Sequence, residues 1–373
     1  MRVAIVHYDI SMRTGAQRLV LGLGDSIKRL GHEVAYFTSI YDEHTAFDEF
    51  SNEMVFVSGG RREILGRFRG LTAFLGSKSM IRYGIKRFSP EIFVFSSNYY
   101  LASEFRPSII YCHHPEMLLV KRRDWIRRAL HYPIDSSEKR GFDVADAIVC
   151  NSSFTRQAVE EAFGRRGTIA YPGVDLQKFM YSKDDDHFIL TVNRIMPNKY
   201  LELAIDSIDI LKNTGISVSL VIAGSVQLGF EWYLESLRQR VESMNLDDNV
   251  SIKPNLADDE LLDLYRRCSI FLYTPLGEHY GFGPVEAMAS GKLVIAAPGG
   301  GPSETVLDGE TGFIVPANPE DWALKIKELW SDPDRRALMG KKARLRVEEG
   351  FTWEQFSKTI GQVMNRTIKS RIP

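Results

Sequence analysis

The sequence predicts an α/β protein with two doubly wound parallel sheets, and three observations lead to this prediction. The chain has 373 residues, which suits two domains of roughly 150 to 200 residues better than one. Short β-branched runs alternate with longer helical patterns, as in the βαβ units that build parallel sheets. This alternation breaks at the turn residues 171–175 and then starts again. We therefore expect one domain over residues 1–172 and a second over 173–352.

The local pattern of apolar residues predicts each helix and strand. Short continuous apolar runs predict buried strands, and apolar residues that recur every three to four positions predict helices. In the first half the predicted strands cover residues 3–7, 34–37, 92–95, 108–111 and 147–150, and the predicted helices cover 16–30 and 153–163. In the second half the predicted strands cover 188–192, 217–223, 251–253, 270–273, 293–296 and 312–315, with helices such as 200–212 and 231–244. The two halves thus repeat one Rossmann-like architecture.

The composition excludes several classes of protein. Apolar residues make up 44% and charged residues 25% of the chain, which is typical of globular proteins and excludes disordered or fibrous chains. The cysteines Cys112, Cys150 and Cys268 are far apart, so they predict neither a disulfide framework nor a zinc ribbon. The sequence shows no signal-peptide pattern and no run of 18 apolar residues. We expect a cytoplasmic protein that meets a membrane only from its surface.

Basic residues are concentrated in the first half of the chain. Residues 1–172 carry 24 Lys and Arg against 19 Asp and Glu, whereas residues 173–373 carry 23 against 29. Residues 58–88 hold eight basic side chains and one acidic one, with Phe68 and Phe74 among them, and residues 121–128 repeat the pattern around Trp125. This pattern suits an anionic membrane surface, and an ordinary solvated face explains it about as well. We expect no nucleic-acid partner, because no recognition motif accompanies the charge.

The first strand-to-helix turn does not carry the G-x-G-x-x-G fingerprint that dinucleotide oxidoreductases require. Gly22 and Gly24 form a G-x-G inside a helical pattern, where close packing explains them better than a bound phosphate does. Gly15 lies in the turn itself, where a glycine would let the backbone approach an anion at the helix N-terminus. An ordinary turn remains an equal alternative for Gly15.

The strongest motif covers residues 277–289, where a predicted strand is followed by a glycine-rich loop and then a helix. Phe282, Gly283 and Pro284 fall where the helix should begin, and proline is common in a first helical turn. Such a turn directs backbone N–H groups and the positive end of the helix dipole at a phosphate. Glu278 and Glu286 flank the loop and could accept hydrogen bonds from sugar hydroxyls.

These residues also resemble a known family. Glu278 and Glu286 in E-x7-E spacing, followed by residues 287–289, 299–304 and 308–313, resemble the donor site of retaining family 4 glycosyltransferases of the GT-B fold. Other stretches resemble the family at its Arg…Lys pair (192–195 with Lys199), its interdomain turn (171–175) and its first helix (15–20). Residues 111–115 resemble the H-x-P loop of the subgroup that contains eukaryotic lipid-linked oligosaccharide mannosyltransferases. Thr14, Gln17 and Tyr200 depart from the family pattern.

The resemblance implies two Rossmann-like domains that face each other across a cleft, and we expect the C-terminal helix 353–373 to complete the first of them. It implies that Glu286 binds the nucleotide ribose and Glu278 the transferred sugar. Arg194 and Lys199 would neutralise the diphosphate, although each taken alone suits a solvated surface as well. His113, the first residue of H-x-P, would face the donor sugar across the cleft, with the neighbouring His114 as the alternative.

We expect no catalytic metal and no cofactor, with a nucleotide-diphosphate sugar as the donor substrate. Asp184 and Asp186 form a D-x-D, but they precede a strand instead of following one, which favours a solvated linker. The predicted function is transfer of a hexose, with mannose favoured, from a GDP- or UDP-sugar to a lipid-linked or other glycan acceptor. A nonhydrolysing nucleotide-sugar epimerase and a non-catalytic nucleotide-sugar binding protein remain the alternatives.

Overall fold

The computed structural model describes residues 1–57, 69–115, 125–227 and 229–370, and for 69–77 and 125–134 it describes the backbone only. The chain divides into two units, one made of Met1–Gly173 with Trp353–Pro373 and the other of Val174–Thr352. The last helix therefore belongs with the N-terminal part of the chain.

The described part of the first unit contains a parallel sheet of seven strands in the order β3-β2-β1-β4-β5-β6-β7. Its strands are β1 (Arg2–Val6), β2 (Glu33–Thr38), β3 (Val55–Val57), β4 (Ile92–Phe95), β5 (Ser108–Cys112), β6 (Ala147–Cys150) and β7 (Thr168–Ile169). Its helices are α1 (Gly15–Arg29), α2 (Arg69–Phe88), α3 (Trp125–Val144), α4 (Ser153–Phe163) and, at the chain end, α12 (Trp353–Lys369). The order of the strands reverses between β1 and β4.

The second unit holds a parallel sheet of six strands, counted over its described residues, in the order β10-β9-β8-β11-β12-β13. Its strands are β8 (Phe188–Val192), β9 (Ser219–Gly224), β10 (Val250–Pro254), β11 (Ile270–Tyr273), β12 (Val294–Ala296) and β13 (Gly312–Ile314). Its helices are α5 (Glu202–Asn213), α6 (Glu231–Ser243), α7 (Asp258–Arg267), α8 (Phe282–Ala289), α9 (Pro302–Thr305), α10 (Pro319–Trp330) and α11 (Pro333–Gly350). Here the order reverses between β8 and β11.

The central strands are buried on both faces, which explains why they are apolar without alternation. Residues 3–6 of β1 and 270–272 of β11 have no exposed surface. The core of the second unit also contains Trp322, which is fully buried and donates its indole N–H to the Val315 carbonyl at 3.3 Å. The doubly wound α/β architecture predicted from the sequence is therefore confirmed.

Gly22 and Gly24 are packing residues of α1, as the helical pattern predicted. A Cβ atom on Gly22 would lie 2.1 Å from the ring of Trp353 on α12, and one on Gly24 would lie 1.8 Å from the Tyr36 hydroxyl. Close approach thus allows the last helix to pack on the first, where Trp353 also contacts Phe356 edge to face at 5.3 Å.

We expect Gly22→Ala to lower the free energy of unfolding by about 1 to 3 kcal/mol, because the added methyl group overpacks the contact with Trp353. This range is the net effect, after the gain of about 1 kcal/mol in helix propensity that alanine brings. Gly350→Ala is the matched control, since a Cβ there meets nothing within 4 Å. Urea denaturation measures both variants, and equal stability of the two would contradict the packing role of Gly22.

Candidate active site

The residues of the strongest motif lie at the carboxyl ends of β8 and β11, which are neighbours in the sheet of the second unit. The segment after β8 carries Arg194 and Lys199, and the loop after β11 leads into α8. Because the strand order reverses between these two strands, their connections leave in opposite directions and open a crevice between them. Ligands of open α/β sheets bind at such a switch point.

Lys199 and Glu278 form an ion pair in this crevice, between Lys199 Nζ and Glu278 Oε2. The side chains are 8% and 29% exposed, respectively. Burial alone would raise the pKa of Glu278, but the charge and hydrogen bond of Lys199 outweigh it and the pKa is lowered. Glu278 is therefore ionised at neutral pH. The Thr274 hydroxyl donates to the Lys199 carbonyl at 2.6 Å and fixes the segment that carries the lysine.

Two glycine-containing loops interlock beside this ion pair. Gly300 has φ +82° and a Cβ there would lie 2.0 Å from the Glu278 carbonyl oxygen. A Cβ on Gly301 would lie 2.4 Å from the Tyr280 carbonyl oxygen, while the Gly301 N–H donates to the Glu278 carbonyl at 2.8 Å. The loop after β12 thus supports the backbone of Glu278, and side chains at these two glycines would push it away.

Helix α8 begins at Phe282, and Gly283 and Pro284 complete its first turn, as the sequence predicted. Gly281, with φ +82°, precedes the helix. A Cβ on Gly283 would lie 3.1 Å from the Phe271 ring and 3.4 Å from the Val192 carbonyl oxygen, so the glycine brings the helix start close to the end of β8. The first N–H groups of a helix have no acceptor inside it, and here they adjoin the segment that carries Arg194.

Glu286 is the fifth residue of α8 and is partly exposed. Its Oε2 accepts a hydrogen bond from the hydroxyl of Tyr265 on α7 at 2.9 Å. Tyr273, at the end of β11, is also buried, and its pKa is raised by burial and by the charges of Glu278 and Glu286. Glu278 and Glu286 thus each have a buried, protonated tyrosine nearby.

Arg194 is partly exposed, and its Nη1 donates to Gln227 Oε1 at 3.3 Å. The backbone around it is held by β9, because Asn193 N–H donates to the Ala223 carbonyl at 3.1 Å. A Cβ on Gly224 would lie 1.8 Å from the Asn193 carbonyl oxygen, so this close contact requires glycine. Arg194 therefore lies at the same edge of the sheet as Lys199.

A second group of polar residues follows three strands of the first unit: His7 after β1, Ser96 after β4 and His113 after β5. Ser96 Oγ and His113 Nε2 are 2.6 Å apart and hydrogen-bonded, and the His113 N–H donates to the Tyr99 hydroxyl at 3.2 Å. The His7 and His113 rings are 5.9 Å apart. Burial lowers the pKa of His7 to about 4, so this histidine is neutral at neutral pH.

Gly15 is the first residue of α1 and is exposed. The two departures from the family pattern in this turn have a structural role, because Thr14 Oγ1 donates to Gln17 Oε1 and Gln17 Nε2 donates to the Asp9 carbonyl at 2.7 Å. Gln17 thereby ties the start of α1 to the loop after β1. Gly15 and His113 belong to the first unit, whereas the other predicted site residues belong to the second.

The run 183–186 contains Asp184 and Asp186, the D-x-D for which the sequence favoured a solvated linker. Asp184 and Asp186 are about half exposed and lie next to Arg266 and Arg267. Asp185 between them accepts from Arg336 at 2.6 Å and from Ser269, and the Arg336 side chain is 3% exposed. These hydrogen bonds hold the pKa of Asp185 below its usual value although burial opposes them. Asp185 thereby fastens the start of β8 to α11.

Most of the predicted membrane-facing segments lie outside the described side chains, including residues 58–68, Phe74 and 121–128 with Trp125. The described end of α2 presents Arg82, Lys86 and Arg87 to solvent, with Arg87 stacked over the Tyr83 ring at 3.8 Å. Among the described helices, none has both the length and the apolar character needed to cross a membrane.

Tyr265, Ser96 and His7 are site residues that sequence reasoning missed. Tyr265 occupies a helix position that suits a core residue, and Ser96 carries no motif of its own. His7 directly follows a predicted strand, at the carboxyl edge where ligands of α/β sheets bind, and this signal could have identified it.

Comparison with known proteins agrees with this geometry. The family described as Glycosyltransferase Family 4 matches residues 13–178, and the family described as Glycosyl transferases group 1 matches residues 175–346. The alpha-1,3/1,6-mannosyltransferase ALG2 of Dictyostelium discoideum is 28% identical, with 98% of each chain covered. The enzyme of the same name from Rhizomucor pusillus is 29% identical, with 98% of this chain and 91% of the relative covered.

Solved structures show the same fold. Sucrose-phosphate synthase from Thermosynechococcus elongatus has a TM-score of 0.83 at 20% identity, covering 99% of this chain and 100% of that one. The lipopolysaccharide glycosyltransferase WaaG has a TM-score of 0.74 at 12% identity, covering 97% and 99%. Since the two family models follow one another along nearly the whole chain, the protein belongs to the family 4 glycosyltransferases of the GT-B fold.

Proposed function

We propose that this glycosyltransferase transfers mannose from a nucleotide-diphosphate sugar to a lipid-linked glycan, with retention of configuration and without a metal. The observation that carries the proposal is the crevice between β8 and β11, where a cationic segment, a helix start and two carboxylates converge. The names of the full-length relatives support mannose as the sugar. The resemblance of residues 111–115 to the H-x-P loop supports the lipid-linked acceptor.

In this proposal the second unit holds the donor. Arg194, Lys199 and the first N–H groups of α8 face the diphosphate, Glu278 binds the sugar and Glu286 the ribose. Departure of the nucleoside diphosphate builds negative charge on its oxygens, which fixed cations and helix N–H groups stabilise. An ammonium group has three N–H donors, so Lys199 can hold a phosphate oxygen while it remains paired with Glu278.

The first unit supplies His113, whose ring is oriented by Ser96 through Nε2. We propose that His113 hydrogen-bonds the transferred sugar or its developing charge and is not a nucleophile. The leaving phosphate then assists deprotonation of the acceptor, which attacks from the same face. Gly15, at the start of α1, lets the backbone approach the donor or acceptor closely.

For its location we propose the cytoplasm, with peripheral attachment to the inner membrane face through the basic residues of 58–88 and 121–128. The exposed Arg82, Lys86 and Arg87 on α2 support this attachment. A lipid-linked acceptor lies at a membrane, and each cation near an anionic surface contributes about 1 kcal/mol to binding.

The comparisons lend no support to an epimerase or to a non-catalytic binding protein, since both family models describe transferases. Turnover of GDP- and UDP-mannose with and without a lipid-linked acceptor tests the proposal. We expect release of the nucleotide to depend on the acceptor. Epimerisation without acceptor, or binding without any turnover, would replace our proposal by one of these alternatives.

We expect Glu286→Gln to weaken donor binding by about 1.5 to 3 kcal/mol and to lower turnover, because the ribose loses a charged hydrogen-bond acceptor. Thermal-shift titration with GDP- and UDP-sugars measures the affinity, because a bound donor stabilises the fold. Glu349→Gln, an exposed glutamate of α11, is the control and should behave like the wild type. Unchanged donor affinity in Glu286→Gln would remove this residue from the site.

Activity should survive EDTA, because side-chain cations and helix N–H groups face the diphosphate in this proposal. The measurement is the transfer rate before and after chelation, with added Mg²⁺ or Mn²⁺ as the control. If chelation abolished transfer and either metal restored it, the role of Asp184 and Asp186 would have to be reconsidered.

His113→Ala should lower kcat on the order of 100-fold and leave donor affinity nearly unchanged, since the residues proposed to hold the nucleotide belong to the second unit. His114→Ala should have a smaller effect on kcat. Steady-state kinetics with a fluorescent or radiolabelled acceptor measures both variants. A larger loss in His114→Ala would show that the second histidine, not the first, contacts the sugar.

A further inference from the structure

Tyr265 is a buried tyrosine held between two aromatic rings. It lies near the end of α7 and has no exposed surface. Its ring stacks on Phe271 of β11, with centroids 5.5 Å apart and planes inclined by 20°. The ring of Phe179 contacts it edge to face, with centroids 5.3 Å apart and planes at 88°. These two rings fix the direction in which the Tyr265 hydroxyl points.

That direction is towards Glu286. The hydroxyl donates to Glu286 Oε2 at 2.9 Å across the gap between α7 and α8. Burial first, and then the negative charge of Glu286, raise the pKa of Tyr265 well above its usual value. The hydroxyl therefore keeps its proton throughout the neutral range, and the carboxylate remains its acceptor.

We propose that Tyr265 is a positioning residue that orients the Glu286 carboxylate for the ribose hydroxyls, and so sets the preference for a ribonucleotide donor. The inference rests on the proposed function, which assigns the ribose to Glu286. Tyr265 itself does not touch the donor. It acts by favouring one orientation of a carboxylate that is partly exposed.

The physical reason is the flexibility of the glutamate side chain. Glu286 is partly exposed, and the terminal torsion of a glutamate is broad and roughly two-fold. A hydrogen bond from a rigid donor restricts this torsion before the nucleotide binds. The free-energy cost of ordering the carboxylate then does not reduce the affinity for the ribose. Loss of the hydroxyl should therefore reduce discrimination at the ribose and leave binding of the diphosphate intact.

The test compares GDP and UDP with their 2′,3′-dideoxy counterparts, which lack both ribose hydroxyls. We expect the wild type to bind the better ribonucleotide at least about tenfold more tightly than its dideoxy form, as is typical of a hydrogen bond to a charged group. In Tyr265→Phe this ratio should fall to about threefold or less, with the affinity for the dideoxy form unchanged. Ligand-induced shifts in melting temperature measure the affinity of each protein for the ribo and the dideoxy form. The method also works for a variant of reduced stability.

Tyr233→Phe is the matched control. Tyr233 is another buried tyrosine of the second unit, and its hydroxyl donates to a carboxylate, Glu202 Oε2, at 2.7 Å. This variant loses the same type of hydrogen bond and should keep the wild-type ratio. In a Glu286→Gln background, adding Tyr265→Phe should change the ratio no further, because both substitutions remove one interaction.

The outcomes distinguish the ribose role proposed for Glu286 from the positioning role proposed for Tyr265. A wild type that binds the ribo and dideoxy forms equally overturns the ribose role of Glu286 in the proposed function. A wild type that discriminates, together with a Tyr265→Phe variant that keeps the full ratio, overturns the positioning role alone. An equal loss of the ratio in Tyr233→Phe also overturns it, since a general loss of order in the second unit would then explain the effect.

Discussion

The ion pair between Lys199 and Glu278 is the interaction on which the geometry of the candidate active site depends. It joins the segment after β8 to the loop after β11, which are 79 residues apart in the chain. Removing one partner of a buried pair costs about 3 to 5 kcal/mol, and less where a partner is partly exposed, as Glu278 is. The pair can form only because β8 and β11 are adjacent in the sheet.

Glycines set how closely the surrounding loops approach this ion pair. Gly300 and Gly301 allow the loop after β12 to lie against the backbone of residues 278–280. Gly224 allows the end of β9 to lie against the carbonyl group of Asn193. At each of these positions a Cβ would lie within 2.4 Å of a carbonyl oxygen. A backbone that neighbours support on several sides does not need to reorganise when a charged ligand binds, and this preorganisation makes electrostatic stabilisation effective.

The sequence predicted the fold and the location of the site better than it predicted the contacts within the site. The bounds of β4, β6, β8 and β11 agree with the predicted ones, because strands buried on both faces are continuous apolar runs. The short strands β3 and β7 were missed, since two or three residues at the edge of a sheet carry too little pattern. The hydrogen bonds of Tyr265 and Asp185 depend on helices that pack together from distant parts of the chain, and no local pattern records them.

In the proposed function Glu278 and Glu286 present an electrostatic problem, because two carboxylates beside a diphosphate would repel its phosphates. The two glutamates differ in the partner that the structure provides. Lys199 neutralises Glu278 directly, whereas the neutral hydroxyl of Tyr265 binds Glu286 without cancelling its charge. In the proposed function Glu286 accepts hydrogen bonds from the ribose hydroxyls, and such hydrogen bonds are stronger when the acceptor is a carboxylate. Glu278, which the proposal places closer to the leaving phosphate, is the glutamate that pairs with a cation.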